Sequence, residues 1–339
     1  MRTPPSSPPA STMILTVTRA CNLRCAYCPT AKDGWPSLTE ADARHAVRLF
    51  VDRYGGGDIK MFGGEPLLVP EVVRAAMEAA RDEPRIRRVY LSTNGLGLNT
   101  DWLDYLRGFD KGILTISMDG APTDHRRLRR AISADIPDAY SHVVELLPEL
   151  LRTPRVVVTQ TIAPATAKRG RENFRHLVNL GFKRFNLLPG YFIPWRPDQL
   201  QHLDTAFAGI ADDFRAAWAR GHNLYLRNLF VHAPTPFFNT GFVVDSDRTI
   251  HPSNIGLSGA LGDTRVDTQV GTLDAPPTRR ALAEKTAQVH DILRPALSDK
   301  VWDSTMAVDA RLTHMCRSLY RDYLAHRARK RAARAEVRP

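Results

Sequence analysis

Three cysteines lie close together near the start of the chain. Cys21, Cys25 and Cys28 follow a strand-like apolar run at residues 13–18. A loop that leaves the carboxyl end of a strand would project all three thiols at the mouth of a sheet. Thiolates select soft metals, including the irons of Fe–S clusters. Three thiolate ligands on a four-iron cluster leave one iron open to bind a substrate or cofactor.

Two simpler interpretations of the cysteines fit less well. A structural zinc site needs four closed ligands, but the fourth cysteine, Cys316, lies almost three hundred residues away. A disulfide framework is typical of small secreted chains with many cysteines, whereas this chain has four cysteines in 339 residues. The Fe–S interpretation is therefore favoured.

Composition predicts a large folded core without a membrane segment. With 339 residues and 43% hydrophobic content, the chain can bury a barrel-sized domain and a smaller appendage. No apolar run approaches the ~20 residues of a membrane span. Residues 1–12, rich in Pro, Ser and Thr, indicate a disordered tail and not a signal peptide. We therefore expect a cytoplasmic protein.

The net charge of +11 allows either an acidic partner or a solvated basic tail. Much of the excess lies at the C-terminus, and residues 327–339 are interpreted as a basic tail. The arginines and lysine of this run are Arg327, Arg329, Lys330, Arg331, Arg334 and Arg338. Charge alone does not choose a substrate.

Alternating strand-like and helical patterns predict an α/β core at residues 13–190. Strand-length apolar runs alternate with segments of helical periodicity, as in parallel βα units. Six such units indicate a partial (β/α)6 TIM-like barrel, in which chemistry lies on the loops after the strands. The predicted strands are 13–18, 58–62, 88–92, 113–118, 155–162 and 184–188, and the predicted helices are 39–54, 69–82, 100–108, 136–151 and 171–180.

Small and polar residues follow the second, third and fourth predicted strands. Glycines let backbone approach a ligand, and a neighbouring carboxylate accepts hydrogen bonds from an ammonium group. Serine, threonine and asparagine at a strand end also favour turns and helix caps. The residues are Gly63, Gly64 and Glu65 after the second strand, Ser92, Thr93 and Asn94 at the third, and Ser117 and Asp119 at the fourth.

The C-x3-C-x2-C spacing, with Tyr27 before the last cysteine, resembles the signature of the radical S-adenosylmethionine (SAM) enzymes. The resemblance implies that the three cysteines hold one [4Fe–4S] cluster and that the Gly-Gly-Glu segment holds the SAM amino group. It also implies polar SAM contacts from the third and fourth strand ends. In this family the reduced cluster cleaves SAM to methionine and a 5′-deoxyadenosyl radical, which abstracts a hydrogen atom from substrate.

An arginine downstream of Asp119 is implied as the ligand of the SAM carboxylate. Arg129 occupies the matching place, although Arg126, Arg127 and Arg130 crowd the same stretch. A guanidinium fork suits a carboxylate. We therefore expect Arg129 to bind SAM.

Residues 191–326 are expected to form a C-terminal α+β extension that covers the core. Residues 243–254 resemble the hairpin of the SPASM/twitch extensions of peptide maturases, and 271–273 resemble its next landmark. Ser253 stands where a cluster cysteine is expected, so we predict a degenerate extension without auxiliary clusters. Helices are expected at 197–220 and from about residue 307. Cys316 is a candidate hydrogen-atom donor, but a lone cysteine on an apolar helix is also typical of a buried small hydrophobe.

The motifs favour a radical SAM enzyme that modifies a ribosomal peptide. Modification of a small-molecule natural product is the main alternative, followed by RNA modification and a non-catalytic Fe–S scaffold. RNA binding would show steep salt dependence. The expected partners are the substrate and an electron donor such as flavodoxin or ferredoxin. No membrane partner is expected, and nucleic acid is not favoured as a partner. No leader-binding domain fits before Met13, so leader recognition would need the extension or a separate leader-peptide-binding protein.

Overall fold

The computed structural model describes residues 12–230, 241–254 and 264–336, without the side chains of 264, 265 and 331–336. The predicted tail at 1–12 lies outside these residues except for Thr12. The end of the predicted basic tail lies outside them as well. No helix in the described ranges is both long and apolar enough to cross a bilayer.

Twelve strands occur among the described residues. Six of them coincide, within one or two residues at each end, with the six strands that the sequence predicts. The strands are β1 (Thr12–Thr18), β2 (Leu23–Cys25), β3 (Gly57–Gly63), β4 (Ile86–Thr93), β5 (Gly112–Ser117), β6 (Arg129–Ala131), β7 (Val156–Ile162), β8 (Arg184–Pro189), β9 (Tyr225–Leu226), β10 (Phe242–Val244), β11 (Thr249–His251) and β12 (Gly271–Thr272).

Helices alternate with the core strands, as the periodicity predicts. In chain order they are α1 (Glu40–Tyr54), α2 (Pro70–Arg81), α3 (Thr100–Arg107), α4 (Pro122–Leu128), α5 (Ala139–Glu145), α6 (Leu147–Arg152), α7 (Gly170–Asn179), α8 (Pro197–Ala219), α9 (Thr264–Thr268), α10 (Arg279–Ala296) and α11 (Asp299–Glu336).

Local chemistry explains where the first helix begins and ends. Thr39 and Asp42 form a reciprocal capping box at the start of α1, which satisfies two backbone donors there. Gly55 ends α1 with a φ of 88°, a left-handed conformation that glycine adopts without a steric penalty. The buried face of α1 carries Val47 and Phe50.

Two predicted helices differ from those observed. The predicted helix 136–151 is divided into α5 and α6 at Leu146, because Pro148 favours the first turn of a new helix. The long C-terminal helix, predicted from about residue 307, begins at Asp299. The buried Trp302 extends its apolar face toward the N-terminus.

The chain divides into two compact units. The first consists of Met1–Ile116, Arg129–Val156 and Pro234–Ser298. Its strands follow the order β12-β11-β10-β1-β3-β4-β5, in which β10, β1, β3, β4 and β5 pair in parallel and β10, β11 and β12 pair antiparallel. A separate antiparallel ribbon joins β2 to β6. The predicted hairpin of the extension is the β10–β11 pair.

The second unit consists of Ser117–Leu128, Val157–Ala233 and Asp299–Pro339. Strands β7, β8 and β9 pair in parallel. Helices α7 and α8 pack on them around an aromatic core, in which Phe174 contacts Phe185 and Phe214 with ring centroids 4.8 and 5.3 Å apart.

Candidate active site

The three cysteines lie on one loop that follows β1, and this loop contains the short strand β2. All three are half-buried and none forms a disulfide. The loop is tightly turned, since the Cys28 backbone N–H donates to the Cys25 carbonyl at 3.1 Å. The Leu23 N–H donates to Cys21 Sγ at 3.4 Å. The loop therefore presents three thiols that remain partly accessible.

Positive charge lies beside two of the thiols. Lys32 Nζ is 3.3 Å from Cys28 Sγ, and Arg129 Nη1 is 3.9 Å from Cys25 Sγ. Burial alone would raise the pKa of Cys28, but Lys32 and hydrogen bonds involving Thr30 outweigh it and lower the pKa. Cationic neighbours of this kind favour the thiolate, which is the form that binds metal.

Cys21 has the opposite electrostatic setting. Burial raises the pKa of its thiol, and the hydrogen bond from Leu23 offsets this only in part. The three cysteines are thus not equivalent before a cluster binds. Cys28 is the thiol of this pair that ionises more readily.

Arg129 reaches the cysteine loop through the β2–β6 ribbon. In this antiparallel pair Arg129 lies opposite Cys25. Its guanidinium also lies over the ring of Tyr27, 5.4 Å from the centroid, within cation–π range. Arg130, next along β6, is exposed. Among the crowded arginines, the structure places Arg129 beside Cys25 and Tyr27.

Glu65 ties two strand ends together. Its carboxylate accepts hydrogen bonds from Thr93 Oγ1 at 2.7 Å, the Asn94 N–H at 2.7 Å and the Leu67 N–H at 3.0 Å. The side chain is fully buried, and this burial raises its pKa against the lowering effect of those donors. In this arrangement the carboxylate positions the β3 and β4 loops.

Asn94 extends this network to the cysteine loop. Its side-chain Nδ2 donates to Asn22 Oδ1 at 2.7 Å, between Cys21 and Leu23. Thr93 and Asn94 are buried and Ser92 is half-buried. The loops after β1, β3 and β4 are therefore joined by side-chain hydrogen bonds. Asn22 has no signal in the sequence other than its place inside the cysteine motif.

The paired glycines after β3 are required by close backbone packing. A Cβ on Gly64 would lie 2.0 Å from the Ala20 carbonyl oxygen, and one on Gly63, whose φ is 135°, would lie 2.1 Å from the Thr18 carbonyl oxygen. The Gly64 and Glu65 N–H groups donate to the Thr18 and Ala20 carbonyls. The glycines thus hold the β3 loop directly against the start of the cysteine loop.

A buried ion pair fixes the residue before this loop. Arg19 is 1% exposed and makes a bidentate contact with Asp245, which follows β10 and is 2% exposed. The Arg19 guanidinium also lies 3.7 Å from the ring centroid of Trp35. The extension hairpin therefore anchors the base of the cysteine loop. Sequence reasoning missed this pair because its members are 226 residues apart.

The hairpin carries a buried polar cluster. His251 Nε2 lies 2.9 Å from Thr249 Oγ1, and His251 Nδ1 lies 3.1 Å from Thr268 Oγ1. Burial lowers the pKa of His251 to about 4. Ser253, at the place expected for a cluster cysteine, is 1% exposed.

Two expected SAM contacts belong to the second unit. Asp119 is buried, and its Oδ1 accepts a hydrogen bond from the Thr161 N–H at 3.0 Å. Ser117 is half-buried. Gly120 follows with a φ of 135°, and a Cβ there would lie 2.2 Å from Asn173 Cβ. The Ser-x-Asp-Gly turn is therefore closely packed within this unit.

Cys316 lies on α11 in the second unit. Burial, with a smaller contribution from Asp309, raises the pKa of its thiol to about 12. The Tyr191 hydroxyl donates to Asp309 Oδ1 at 3.1 Å. The thiol is thus protonated at neutral pH, which suits both a hydrogen-atom donor and a buried small hydrophobe.

The donor set of the loop fits an Fe–S cluster. Within the described ranges, no three Cys, His, Asp or Glu side chains are grouped to hold a metal ion. A cluster needs cysteines that each bind a separate iron, whereas zinc needs ligands that converge on one ion. Three half-buried thiols on one loop, with cations beside two of them, supply the soft donors that the irons of a cluster take.

The comparisons with known proteins agree with this chemistry. Residues 15–136 match the Radical SAM superfamily. This segment is similar to that family, and the expected cofactor pair, a [4Fe–4S] cluster and SAM, is the pair that the family uses.

Curated relatives include GTP 3′,8-cyclases. The Mycolicibacterium smegmatis protein is 36% identical over 94 residues, which are 26% of each chain. The Chlorobaculum tepidum protein is 34% identical over 152 residues, which are 42% of each chain. The chain thus spans about a quarter of the first relative and less than half of the second.

Solved structures resemble a larger part of the chain. AnSMEcpe with bound AdoMet has a TM-score of 0.66 and 16% identity, covering 85% of this chain and 83% of that one. SuiB of Streptococcus suis bound to precursor peptide SuiA has a TM-score of 0.53 and 12% identity, covering 71% and 58%. These likenesses show the fold and confirm the predicted α/β class with mostly parallel strands.

Proposed function

We propose that this protein is a radical SAM enzyme that abstracts a hydrogen atom from a ribosomal peptide. Cys21, Cys25 and Cys28 hold a [4Fe–4S] cluster in this proposal, and Arg129 binds the carboxylate of SAM. When bound, the cluster and SAM together supply the 5′-deoxyadenosyl radical. The other residues proposed to contact SAM are Tyr27, Gly63, Gly64, Glu65, Ser92, Thr93, Asn94, Ser117 and Asp119.

The observation that carries the proposal is the pairing of thiols with cations on the cysteine loop. Lys32 stands beside Cys28, and Arg129 stands beside Cys25. Cations stabilise the thiolates and would also attract the carboxylate of SAM.

Glu65 has a positioning role in this proposal. Its three hydrogen bonds fix the loops after β3 and β4, and Asn94 connects them to Asn22. The Gly-Gly-Glu segment, with Glu65 in it, stays the proposed holder of the SAM amino group alongside this role.

A peptide substrate is favoured because the structural likeness to anSMEcpe covers most of this chain. The match to anSMEcpe covers 85% of this chain, so it includes most of the C-terminal extension. The SuiB structure of similar fold holds a precursor peptide. The hairpin β10–β11 and strand β12 follow the pattern that the sequence associates with peptide maturases.

A small-molecule substrate is the second candidate. Curated relatives that align with part of this chain include GTP 3′,8-cyclases. The alignments cover only 26% and 42% of those proteins, so most of each relative lies outside the likeness.

The proposed setting and partners follow from the cofactor. A reduced cluster needs an electron donor such as flavodoxin or ferredoxin, and a cytoplasmic location would protect it from oxygen. A separate leader-peptide-binding protein is a further proposed partner.

Deuterium transfer tests the reaction and the substrate class together. The native host is grown in D2O, and its lysate is separated into a peptide fraction and a small-metabolite fraction. Each is incubated anaerobically with reconstituted protein, SAM and reductant. We expect 5′-deoxyadenosine to gain deuterium with the peptide fraction only. Transfer from the metabolite fraction alone would favour the second candidate, and transfer from neither, with 5′-deoxyadenosine formed, would contradict both.

Cys316 enters the proposal as the donor that returns a hydrogen atom to the substrate radical, its S–H bond breaking as the new C–H bond forms. The thiyl radical left on Cys316 would then take one electron from the proposed electron donor and one proton from solvent. Its raised pKa keeps the S–H bond intact at neutral pH. With Cys316→Ala, we expect 5′-deoxyadenosine to form while the product is lost or diverted. Unchanged product would assign Cys316 a packing role only.

A further inference from the structure

A basic cavity lies within the second unit, away from its strand carboxyl ends. Its volume is ≈ 390 Å³, within the usual range for ligand sites. Four cations line it: Lys183 and Arg184 at the start of β8, and Arg327 and Lys330 on α11. None of its lining residues in the described part of the chain is acidic. Part of the basic run at the C-terminus, Arg327 and Lys330, therefore lines a cavity.

The position of the cavity argues against a catalytic role. Arg184 pairs with Tyr225 at the amino ends of the parallel strands β8 and β9. In parallel α/β folds the chemistry lies at the carboxyl ends of strands. A cavity at the amino ends is therefore suited to recognition.

The aromatic rings of the cavity are already engaged by protein side chains. Tyr225 stacks on Phe230 at 5.3 Å and lies under Arg184 at 5.2 Å. Trp218 stacks on His326 at 5.8 Å and meets Tyr323 edge to face at 5.6 Å. Binding of nucleic acid bases uses open aromatic faces as stacking platforms. These rings instead form fixed walls, which favours an anionic ligand that does not stack.

The local potential is positive at the buried side of the cavity. His326 is 6% exposed, and burial lowers its pKa, followed by the charges of Lys330, Arg329 and Arg327. Guanidinium and ammonium groups at a partly enclosed site form strong, short hydrogen bonds with carboxylates. Several such groups around one opening match a ligand with several carboxylates.

We propose that this cavity docks an acidic segment of a peptide. The inference rests on the proposed peptide substrate, since such a segment would hold the precursor while another part of it reacts. The lysine and arginine side chains bind the carboxylates, and the walls formed by Tyr225 and Tyr323 contact the aliphatic parts.

The test measures binding and does not depend on turnover. Dansylated octa-glutamate is titrated into the full-length reconstituted protein at low salt, with octa-glutamine and an octa-uridine RNA as comparison probes. The cavity variant is Lys183→Glu with Arg327→Glu, both exposed residues. The control is Lys168→Glu with Arg280→Glu, two exposed residues outside the cavity lining, which changes the net charge equally.

We expect saturable octa-glutamate binding that weakens about tenfold or more in the cavity variant and less than about twofold in the control. Melting curves monitored by circular dichroism show whether both variants fold. Equal weakening by both pairs, equal binding of octa-glutamine, or tighter binding of RNA would each overturn the inference. If octa-glutamate does not bind while 5′-deoxyadenosine still forms, the docking inference fails and the proposed function stands. If octa-glutamate binds at the cavity but no 5′-deoxyadenosine forms, the proposed function fails and the acidic binding site stands.

Discussion

Arg129 lies directly opposite Cys25 in the antiparallel ribbon of β2 and β6, with Nη1 3.9 Å from Cys25 Sγ. The ribbon connects a residue of the cysteine loop with one more than a hundred positions later in the chain. It fixes the guanidinium at the edge of the proposed cluster site, where a carboxylate of SAM would meet it.

Replacing Arg129 should weaken SAM binding. A charge-assisted hydrogen bond contributes ~1.5–3 kcal/mol, so we expect Arg129→Gln to raise the Kd for SAM by about tenfold to a hundredfold. Arg129→Lys should give an intermediate value because it keeps the charge without the fork. Anaerobic calorimetry on the reconstituted protein measures these constants.

The neighbouring arginine provides the matched control. Arg130 is exposed and, by strand alternation, its side chain points to the other face of β6. Arg130→Gln should bind SAM like the wild type. If both variants lose affinity equally, general charge and not the Arg129 site would be responsible.

The sequence predicted the parts of this site that depend on local pattern. The cysteine spacing, the six core strands and the small residues after β3 are all read from short stretches. The sequence did not predict the contacts Asn22–Asn94 and Arg19–Asp245, because each joins residues that are far apart in the chain. Strand β6 was not predicted either, because its three residues are too few to show the alternation of apolar and polar side chains that marks a strand.

Lys32 should control the reactivity of Cys28 in the cluster-free protein. The pKa of Cys28 is lowered against the effect of burial, and the Lys32 charge is the largest favourable cause. Lys32→Met should therefore move the alkylation profile of Cys28 to higher pH. Iodoacetamide labelling, read by peptide mass spectrometry across pH, measures this shift.

Cys316 is the internal reference for this experiment. Its pKa is raised to about 12, so its labelling should remain slow below that pH in both proteins. An unchanged Cys28 profile in Lys32→Met would show that Lys32 does not influence this thiol.

The buried pair Arg19–Asp245 should be costly to break. Removal of one partner leaves an uncompensated buried charge, so Asp245→Ala should lower the free energy of unfolding by about 3–5 kcal/mol. The double variant Arg19→Met with Asp245→Leu should recover much of that loss. Urea unfolding measures both.

An exposed pair serves for comparison. Arg280 and Glu284 form an i, i+4 pair on α10 with side chains 88% and 58% exposed. Glu284→Ala should change the stability by less than about 1 kcal/mol. A similarly small effect of Asp245→Ala would mean that the Arg19 ion pair does not anchor the cysteine loop.

His251 should make stability depend on pH. Its folded pKa is about 4, below its ordinary value of 6.5. Between these two pH values the unfolded state binds the proton more readily than the folded state. The contribution of neutral His251 to the free energy of unfolding is therefore complete above pH 6.5 and is lost as the pH falls toward 4. The full contribution is about 3 kcal/mol. Unfolding of His251→Gln at several pH values should show a flatter profile over this window.

An exposed histidine tests whether the profile is specific. His290 on α10 has a side chain that is 56% exposed. His290→Gln should keep the wild-type dependence on pH. If His251→Gln keeps it too, other groups titrate in this window.

The most direct test of the central claim is 5′-deoxyadenosine formation by anaerobically reconstituted protein given SAM and a strong reductant, with iron measured in the same samples. We predict about four irons per chain, as one [4Fe–4S] cluster requires, in both the wild type and Cys316→Ala. We also predict 5′-deoxyadenosine from the wild type and none from Cys25→Ala. Equal formation by Cys25→Ala, or none from wild-type protein with an intact cluster and a deuterated peptide fraction present, would contradict the account.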